Sequence, residues 1–395
     1  MNVLCRHCFH LFDFRRVGVL CRSRRCSNVL NTEGRRGPRF MLPDKERLWA
    51  RHGQQLALDR SCPYCQERER LVPACPRCRH PLDADIGLVE DRIIGVLGAR
   101  SSGKSHYLSA LLHLLLRKEI GGEVWKVGMD REARQAAEKF FLHPLFDELE
   151  ELPATSRGLG PELRLVLTHK GDGRRVLLVF RDLSGEEMAD RNLLERVHFL
   201  RYAEGVVLLA DPQALDDRGQ PTGQGVVTCA QILENYRAVL ETHPCRREEE
   251  ELAVLPERKF LAVTVTKADL VLRSNKSFWS VDGQAHLEPG FWRARDAESL
   301  EVRTWLHKRL AAPDAFTQNV EEFADASYFF VSSFGYKYTP RPDRKLRKPP
   351  QPLRVHEPIF ALLDRFTAEA GAPEAPRRGQ EMRRRGRSPE NEDVL

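Results

Sequence analysis

Residues 98–105 read Gly98-Ala-Arg-Ser-Ser-Gly103-Lys104-Ser105 and match the phosphate-binding pattern GxxxxGK[ST]. The apolar run Ile93–Leu97 before this loop predicts a β-strand, and the apolar segment 106–116 after it predicts a helix. A glycine-rich loop in that context points backbone N–H groups at an anion bound at the helix N-terminus. We therefore expect a nucleotide with Mg²⁺, with Lys104 at the β- and γ-phosphates and the Ser105 hydroxyl on the metal. The residues predicted to bind the phosphates are Gly98, Ser102, Gly103, Lys104, Ser105 and His106.

Two later segments predict which base is bound. The apolar run 260–265 is followed by Thr266-Lys267-Ala268-Asp269, which resembles the guanine-reading [NT]KxD motif of GTPases. In that resemblance the Asp269 carboxylate accepts hydrogen bonds from the guanine N1–H and 2-amino groups, and Lys267 lies along the base. Adenine would leave a buried carboxylate unpaired at this position. The segment Ser332-Ser333 follows a further strand and resembles the last GTPase motif. GTP and GDP are thus the expected ligands, with ATP as the alternative.

The resemblance to GTPases also predicts the residues that act on the γ-phosphate. A hairpin over 162–168 and 175–180 is expected to end in Asp182-Leu-Ser-Gly185-Glu186, which matches DxxG. Asp182 would hold Mg²⁺ through water, and the Gly185 N–H would meet the γ-phosphate. Thr155, with Ser156 as the alternative, would complete the Mg²⁺ shell. Glu186 stands where a water-orienting glutamine is common, which predicts slow hydrolysis; whether Glu186 or Arg100 takes part in hydrolysis is left open.

Eight of the ten cysteines lie in the first 78 residues and form four closely spaced pairs. Such pairs are typical of tetrahedral Zn²⁺ sites, and four pairs predict two sites with four thiolates each. The simplest expectation is pairing in chain order, in which the first two pairs form one site and the last two pairs form the other. The last two pairs are separated by only a short segment, which favours a compact site. Crossed pairing stays open. Sites without an open position for water are structural. The predicted zinc ligands are Cys5, Cys8, Cys21, Cys26, Cys62, Cys65, Cys75 and Cys78.

Composition limits the class of protein and its partners. The 395 residues carry a net charge of +6, and residues 1–85 hold 17 Lys and Arg against 9 Asp and Glu. A basic zinc module is able to contact nucleic acid, although charge compensation of the zinc thiolates explains it more simply. No apolar run approaches the roughly 20 residues of a membrane span, and the N-terminus does not resemble a signal peptide. We expect a cytoplasmic protein with reduced thiols.

Taken together, these motifs resemble TRAFAC-class P-loop GTPases with an N-terminal zinc ribbon, as found among the double-GTPase components of bacterial conflict systems. The resemblance implies a doubly wound α/β sheet and a slow GTP hydrolase that acts as a switch on a protein effector or a second GTPase chain. The alternative is a GTP-bound scaffold or self-associating module whose zinc ribbons dock protein or nucleic acid. The expected architecture is a zinc-binding module over 1–86, a GTPase domain over 87–370 and a disordered tail over 371–395.

Overall fold

The computed structural model describes most of the chain between residues 2 and 371. The tail that sequence analysis predicts to be disordered lies almost entirely outside the described residues, and the predicted domain boundaries remain predictions. The described residues are 2–5, 8, 11–13, 16–27, 39–41, 49–52, 55–58, 62, 64–67, 71–82, 90–99, 101–118, 120, 124–129, 131–153, 162–171, 173, 175–181, 200, 203–214, 229–242, 259–272, 296–310, 313–323, 325–338 and 341–371.

Short strands make up the cysteine-rich N-terminal region. In chain order its elements are β1 (Asn2–Leu4), β2 (Leu11–Asp13), β3 (Gly18–Cys21), α1 (Arg24–Ser27), β4 (Arg39–Met41), β5 (Trp49–His52), β6 (Gln55–Leu58) and β7 (Leu71–Ala74). Among these described strands, β1 pairs with β2 and β5 with β6, while β4, β3 and β7 form a three-stranded antiparallel sheet in that order.

The rest of the described chain forms a mixed α/β sheet with helices. Its strands are β8 (Glu90–Gly98), β9 (Trp125–Gly128), β10 (Glu162–His169), β11 (Arg175–Arg181), β12 (Gly205–Ala210), β13 (Phe260–Val265) and β14 (Asp325–Phe330). Its α-helices are α2 (Lys104–Leu116), α3 (Arg131–Ala137), α4 (Cys229–Thr242), α5 (Asp296–His307), α6 (Pro313–Glu321) and α7 (Glu357–Gly371).

The strand order within this described sheet is β14-β13-β12-β8-β11-β10-β9. Strands β14, β13, β12, β8 and β11 run parallel. Strand β10 pairs antiparallel with β11, and β9 pairs antiparallel with β10. The predicted hairpin is confirmed, because β10 and β11 pair antiparallel around a turn in which Gly173 has φ 71°. The predicted α/β class and its strand-to-helix order around Gly98 are therefore confirmed.

Two buried clusters cover opposite faces of the sheet. Consecutive residues of β8 alternate between them, with Ile94 and Val96 in one cluster and Ile93 and Leu97 in the other. The first cluster includes apolar residues of α2 and α7, and the second includes those of α4, α5 and α6. The sheet is thus buried on both sides, which explains why its parallel strands are nearly continuous apolar runs in the sequence.

Parallel strands end at a common edge, and this edge positions the predicted site. Gly98 of β8 pairs with Leu209 of β12, whose next residue Ala210 pairs with Val265 of β13. Val265 in turn pairs with Phe330 of β14. Ligands of open α/β sheets bind outside the carboxyl ends of the strands. The phosphate loop (residues 98–105) and the base segment (Thr266–Asp269) both begin at this edge.

One amphipathic helical segment has an unusual form. The stretch 131–149 has the apolar spacing of an α-helix, but it begins as α3 and continues over Glu138–Asp147 as a π-helix. Pro144 lies inside it and has no N–H to donate, so a regular ladder of α-helical hydrogen bonds cannot pass this residue. Among the described residues, no helix is both long and apolar enough to cross a membrane.

A buried ion cluster fixes the start of α7. Arg354, whose side chain is 5% exposed, donates from Nε to Glu357 Oε1 at 2.7 Å and also pairs with Glu298 of α5. Glu357 is fully buried, so removal of the guanidinium would leave a carboxylate in an apolar setting.

We therefore expect Arg354→Met to lower the free energy of unfolding by about 3 kcal/mol. Denaturant titration followed by tryptophan fluorescence measures this change. Arg341→Met is the matched control, because Arg341 is exposed and lies 3.7 Å from Asp343; its expected cost is below about 1 kcal/mol. Equal midpoints for the two variants would show that the buried cluster adds no stability.

Candidate functional site

The phosphate loop turns sharply between β8 and α2. Ser101 and Gly103 have φ 62° and 85°, both in the left-handed region. Gly98 has no room for a side chain, since a Cβ there would lie 2.5 Å from Ser102 Oγ. Gly103 precedes the first residue of α2 and provides no side-chain cap. The loop is thus closed on itself and presents the backbone of the first helical turn, as an anion-binding loop requires.

Lys104 is held over this loop. Its side chain is buried, and Nζ donates to the carbonyl oxygens of Gly98 at 2.8 Å and Ala99 at 2.9 Å. A lysine buried at the N-terminus of a helix is costly unless an anion neutralises it. Ser102 Oγ is buried and has no hydrogen-bond partner among the described residues, while Ser105 is half-buried. The charge of Lys104 and the hydroxyl of Ser102 both fit an anionic, oxygen-rich ligand.

Thr266 joins the phosphate loop to the base segment. Its Oγ1 lies 2.9 Å from the Ser102 carbonyl oxygen and 3.2 Å from that of Ala210. The side chain is 2% exposed, and its hydroxyl can donate to one of these oxygens at a time. Thr266 therefore joins the phosphate loop to the end of β12. Its predicted contact with the ligand stays a prediction.

Lys267 is oriented by a residue that sequence analysis did not identify as part of the site. Its Nζ lies 2.6 Å from Asp211 Oδ2 and 3.1 Å from Gln213 Oε1. Asp211 follows β12 and accepts a further hydrogen bond from the Gln213 N–H at 2.9 Å. The sequence shows that Asp211 follows an apolar strand, but only the structure shows that this strand lies beside β13. This ion pair fixes the position of the Lys267 ammonium group.

Asp269 is buried and hydrogen-bonded by the segment after β14. Ser332 donates from Oγ to Asp269 Oδ1 at 2.5 Å, and the Gly335 N–H donates to the same Oγ at 2.8 Å. Burial raises the pKa of Asp269, whereas the Ser332 hydrogen bond and the charge of Lys267 act in the opposite direction. This arrangement fixes the direction of the carboxylate. Ser333, predicted beside it, is half-buried.

Aromatic rings lie between the loop and the base segment. The Phe334 ring centroid is 5.2 Å from the His106 ring and 4.6 Å from the Tyr338 ring. The Nε2 atom of His106 is buried without a hydrogen-bond partner among the described residues. Burial, together with the charges of Lys267 and Arg344, lowers the pKa of His106 to about 4. His106 thus lies close to both ends of the predicted site.

Four predicted site residues fall outside the described residues, as do Ser156 and Arg100. Their roles in Mg²⁺ binding and hydrolysis therefore stay predictions. The four are Thr155, Asp182, Gly185 and Glu186.

The eight predicted zinc ligands form two groups of four, and within each group all sulfur atoms lie within 4.8 Å of one another. Pairing in chain order is wrong, and the crossed pairing left open by the sequence is what the structure shows. In the sequence, all four ligands of one group lie between the two cysteine pairs of the other group. The outer group is Cys5, Cys8, Cys75 and Cys78, and the inner group is Cys21, Cys26, Cys62 and Cys65.

Strand pairing explains this correction. Strands β3 and β7 run antiparallel, with Cys21 opposite Leu71 and Gly18 opposite Ala74. Cys75 follows Ala74, so it lies at the other end of the ribbon from Cys21, more than three residue steps or about 10 Å away. The inner group therefore lies at one end of the β3–β7 pair, and the outer group lies at the other end. Sequence spacing could not reveal this, because it depends on which strands pair.

The sulfur geometry fits zinc. The distances Cys5–Cys78 and Cys8–Cys75 are 3.6 and 3.7 Å between Sγ atoms, and Cys21–Cys65 and Cys26–Cys62 are both 3.6 Å. A tetrahedron with Zn–S bonds of about 2.3 Å has S–S edges of about 3.8 Å.

The two later cysteine pairs have the same local fold. The N–H of Gln66 donates to the Cys62 carbonyl at 2.8 Å, and that of Arg79 donates to the Cys75 carbonyl at 2.9 Å. Gln66 and Arg79 are both left-handed, with φ 62° and 59°. The Arg77 N–H also points at Cys75 Sγ at 3.4 Å, which stabilises a thiolate. Each Cys-x₂-Cys turn is thus built as a ligand pair.

Comparison with known proteins gives one match to a family and none to an individual curated protein. A family model described as Double-GTPase 2 matches residues 92–305, which is more than half of the chain. The matched range contains the phosphate loop and the base segment and excludes both cysteine groups. No curated protein matches the chain.

Proposed function

Because the chain belongs to the Double-GTPase 2 family, we propose that it is a guanine-nucleotide-binding switch that hydrolyses GTP slowly and controls a partner protein. The phosphate loop binds the phosphates and the base segment reads guanine. The partner is a protein effector or a second GTPase chain, in keeping with a role in a bacterial conflict system.

The arrangement of Lys104, Thr266 and Asp269 supports this proposal most strongly. The buried ammonium over the phosphate loop and the buried carboxylate of the base segment lie at one edge of the sheet. Thr266 joins their two segments by hydrogen bonding to the Ser102 carbonyl. A nucleotide with a charged triphosphate at one end and two N–H donors at the other satisfies both groups.

The proposed Mg²⁺ ligands are the Ser105 hydroxyl, Thr155 and a water held by Asp182. Mg²⁺ would neutralise charge on the β- and γ-phosphates, which is its general role in phosphoryl transfer. Gly185 and Glu186 follow Asp182 in the chain and would sense the γ-phosphate. The segments around Thr155 and Asp182 would order in the GTP state and create the docking surface for the partner.

The two cysteine groups are proposed to hold one structural Zn²⁺ each. All eight donors are thiols, so neither site keeps a position for a substrate or a reactive water. Such tetrads hold metal in a reducing compartment, and we place the protein in the cytoplasm on that ground. Within this proposal residues 1–86 form the zinc module, residues 87–370 the GTPase domain and residues 371–395 a disordered tail.

Calorimetric titration with GDP, a non-hydrolysable GTP analogue and ATP, each with Mg²⁺, tests the proposal. We expect guanine nucleotides to bind the wild-type protein and ATP not to bind. Lys104→Ala should weaken GDP binding about 100-fold or more, since it removes charge-assisted hydrogen bonds to two phosphates. Lys308→Ala, at an exposed lysine, is the matched control.

Turnover assays on the same variants separate a switch from a scaffold. If wild-type hydrolysis equals that of Lys104→Ala, the protein binds GTP without cycling. ATP binding equal to GDP binding would overturn the guanine assignment itself.

A further inference from the structure

Main-chain hydrogen bonds join residues 149–151 to residues 344–346, and we call this contact the anchor. Its two N–H donors and their carbonyl acceptors, at 2.8 and 2.7 Å, are Glu151 with Arg344 and Leu346 with Leu149. Between these bonds, Glu150 and Lys345 lie opposite each other in an isolated antiparallel bridge. In this register, where the hydrogen bonds flank the pair, the two side chains come close together. Lys345 Nζ accordingly forms an ion pair with Glu150 Oε1.

Two residues of the anchor have unusual backbone angles. Leu149 has φ 54° and Arg344 has φ 56°, both in the left-handed region. A side chain in this region crowds the backbone, so bulky residues adopt it rarely. Such residues persist where the surrounding contacts hold them, and they cluster at functional and switch segments. The carbonyls of these two residues accept the two hydrogen bonds of the anchor. Strain on both sides of one contact indicates a role for that contact beyond the packing of the core.

One side of the anchor leads to the proposed Mg²⁺ ligand. Residues 149–151 end four residues before Thr155 in the sequence. The same residues close the π-helix, because the Glu150 N–H donates to the Pro144 carbonyl at 2.8 Å. The chain therefore enters the segment around Thr155 from a fixed starting point.

The other side of the anchor belongs to the loop that orients Asp269. Residues 344–346 lie within the loop 332–353, whose first residue, Ser332, donates to the Asp269 carboxylate. Main-chain bonds between Ser332 and Leu353, at 3.0 and 2.8 Å, close this loop. The anchor thus fixes the start of the segment around Thr155 relative to the base segment.

We propose that Glu150 and Lys345 are positioning residues for the Mg²⁺-bound triphosphate, because they hold the chain before Thr155 in the place from which Thr155 reaches the metal. A nucleotide that uses Thr155 binds the fraction of molecules in which this segment is in place, so a weaker anchor lowers its apparent affinity. GDP has no γ-phosphate to order the segment, so its affinity does not depend on the anchor. The inference rests on the proposed function, because it takes Thr155 as the Mg²⁺ ligand.

Charge reversal at Lys345, an exposed residue, tests the inference without disturbing the core. In Lys345→Glu two carboxylates lie opposite each other, which weakens the contact. We expect this variant to bind a non-hydrolysable GTP analogue with Mg²⁺ about threefold more weakly than wild type and GDP equally well. The double variant Glu150→Lys/Lys345→Glu restores opposite charges and should restore the affinity. Arg347→Glu, at an exposed position of the same loop, is the matched control.

Glu151→Pro tests the main-chain part of the anchor, because proline lacks the N–H that donates to the Arg344 carbonyl. It should weaken binding of the GTP analogue about tenfold, again with GDP binding unchanged. The melting temperature of each variant, measured without nucleotide, shows whether the fold is retained. If Glu151→Pro melts well below wild type, Lys345→Glu and its double variant alone decide the test.

An unchanged ratio of GTP-analogue affinity to GDP affinity in these folded variants would overturn the inference while leaving the proposed function intact. Equal losses for the two nucleotides would overturn it as well, because the anchor would then act on the whole site and not through the Mg²⁺ ligand. Absence of guanine-nucleotide binding to wild type would instead refute the proposed function.

Discussion

The double variant Cys5→Ser/Cys75→Ser is expected to retain one zinc ion per chain, whereas Cys5→Ser/Cys21→Ser is expected to retain none. Each variant removes two thiols, but the two variants differ in whether both thiols belong to the same group of four. The first removes both from the outer group and leaves the inner tetrad intact. The second removes one ligand from each group. Elemental analysis after dialysis against a competing chelator measures the result, with wild type at two zinc ions.

The expected effect is large because bound zinc stabilises the N-terminal region in place of a large hydrophobic core. The described buried residues around the outer group are Cys5, Phe12, Val17, Cys75 and Leu82, and those of the inner group are cysteines alone. Small modules commonly need a metal in order to fold, and structural zinc contributes apparent binding free energies of about 10 to 16 kcal/mol. Loss of both ions should therefore unfold the N-terminal region, which limited proteolysis detects.

Cys229→Ser is the matched control for these variants, because Cys229 lies in α4 outside both groups. It should keep two zinc ions. Pairing in chain order makes the opposite forecast for the two double variants, with zinc retained only by Cys5→Ser/Cys21→Ser. Equal zinc content in the two double variants would contradict the nested arrangement as well.

Local signals in the sequence were sufficient to predict much of the fold. The run Ile93–Leu97 within β8 and the runs that became β12 and β13 are apolar throughout or almost so, because both faces of the sheet are covered, and each is followed by a polar loop. Such runs identify buried strands without knowledge of their neighbours. The same signals placed the phosphate loop and the base segment at strand ends, where parallel strands bring them to one edge.

Contacts between distant segments could not be derived in this way. The pairing of Asp211 with Lys267 and of Ser332 with Asp269 joins residues 56 and 63 positions apart. Neither pair has a spacing rule, since each depends on the order of strands in the sheet. The same holds for the cysteine groups, which follow the pairing of β3 with β7. The π-helical turn around Pro144 was missed because its sequence has the apolar spacing of an ordinary amphipathic helix.

Asp269→Asn is expected to invert the base preference of the protein from guanine to xanthine. The carboxylate offers acceptors to the guanine N1–H and 2-amino groups, whereas an amide offers one acceptor and one donor. Xanthine presents the N1–H and a carbonyl oxygen at C2, which match the amide. Each mismatch leaves a buried polar group unpaired at about 1 to 3 kcal/mol. We expect GDP affinity to fall about 100-fold and xanthosine diphosphate affinity to rise about as much.

The structure indicates that this variant keeps its fold, because an asparagine carbonyl oxygen can still accept the hydrogen bond that Ser332 donates to Asp269 Oδ1. Titration of wild type and variant with both diphosphates measures the inversion, and Asp314→Asn at an exposed position is the matched control. A gain in xanthosine diphosphate affinity cannot come from misfolding, so it would identify Asp269 as the group that reads the base. Loss of GDP binding without that gain, at an unchanged melting temperature, would mean that the carboxylate does not face the base and that guanine is selected by other groups.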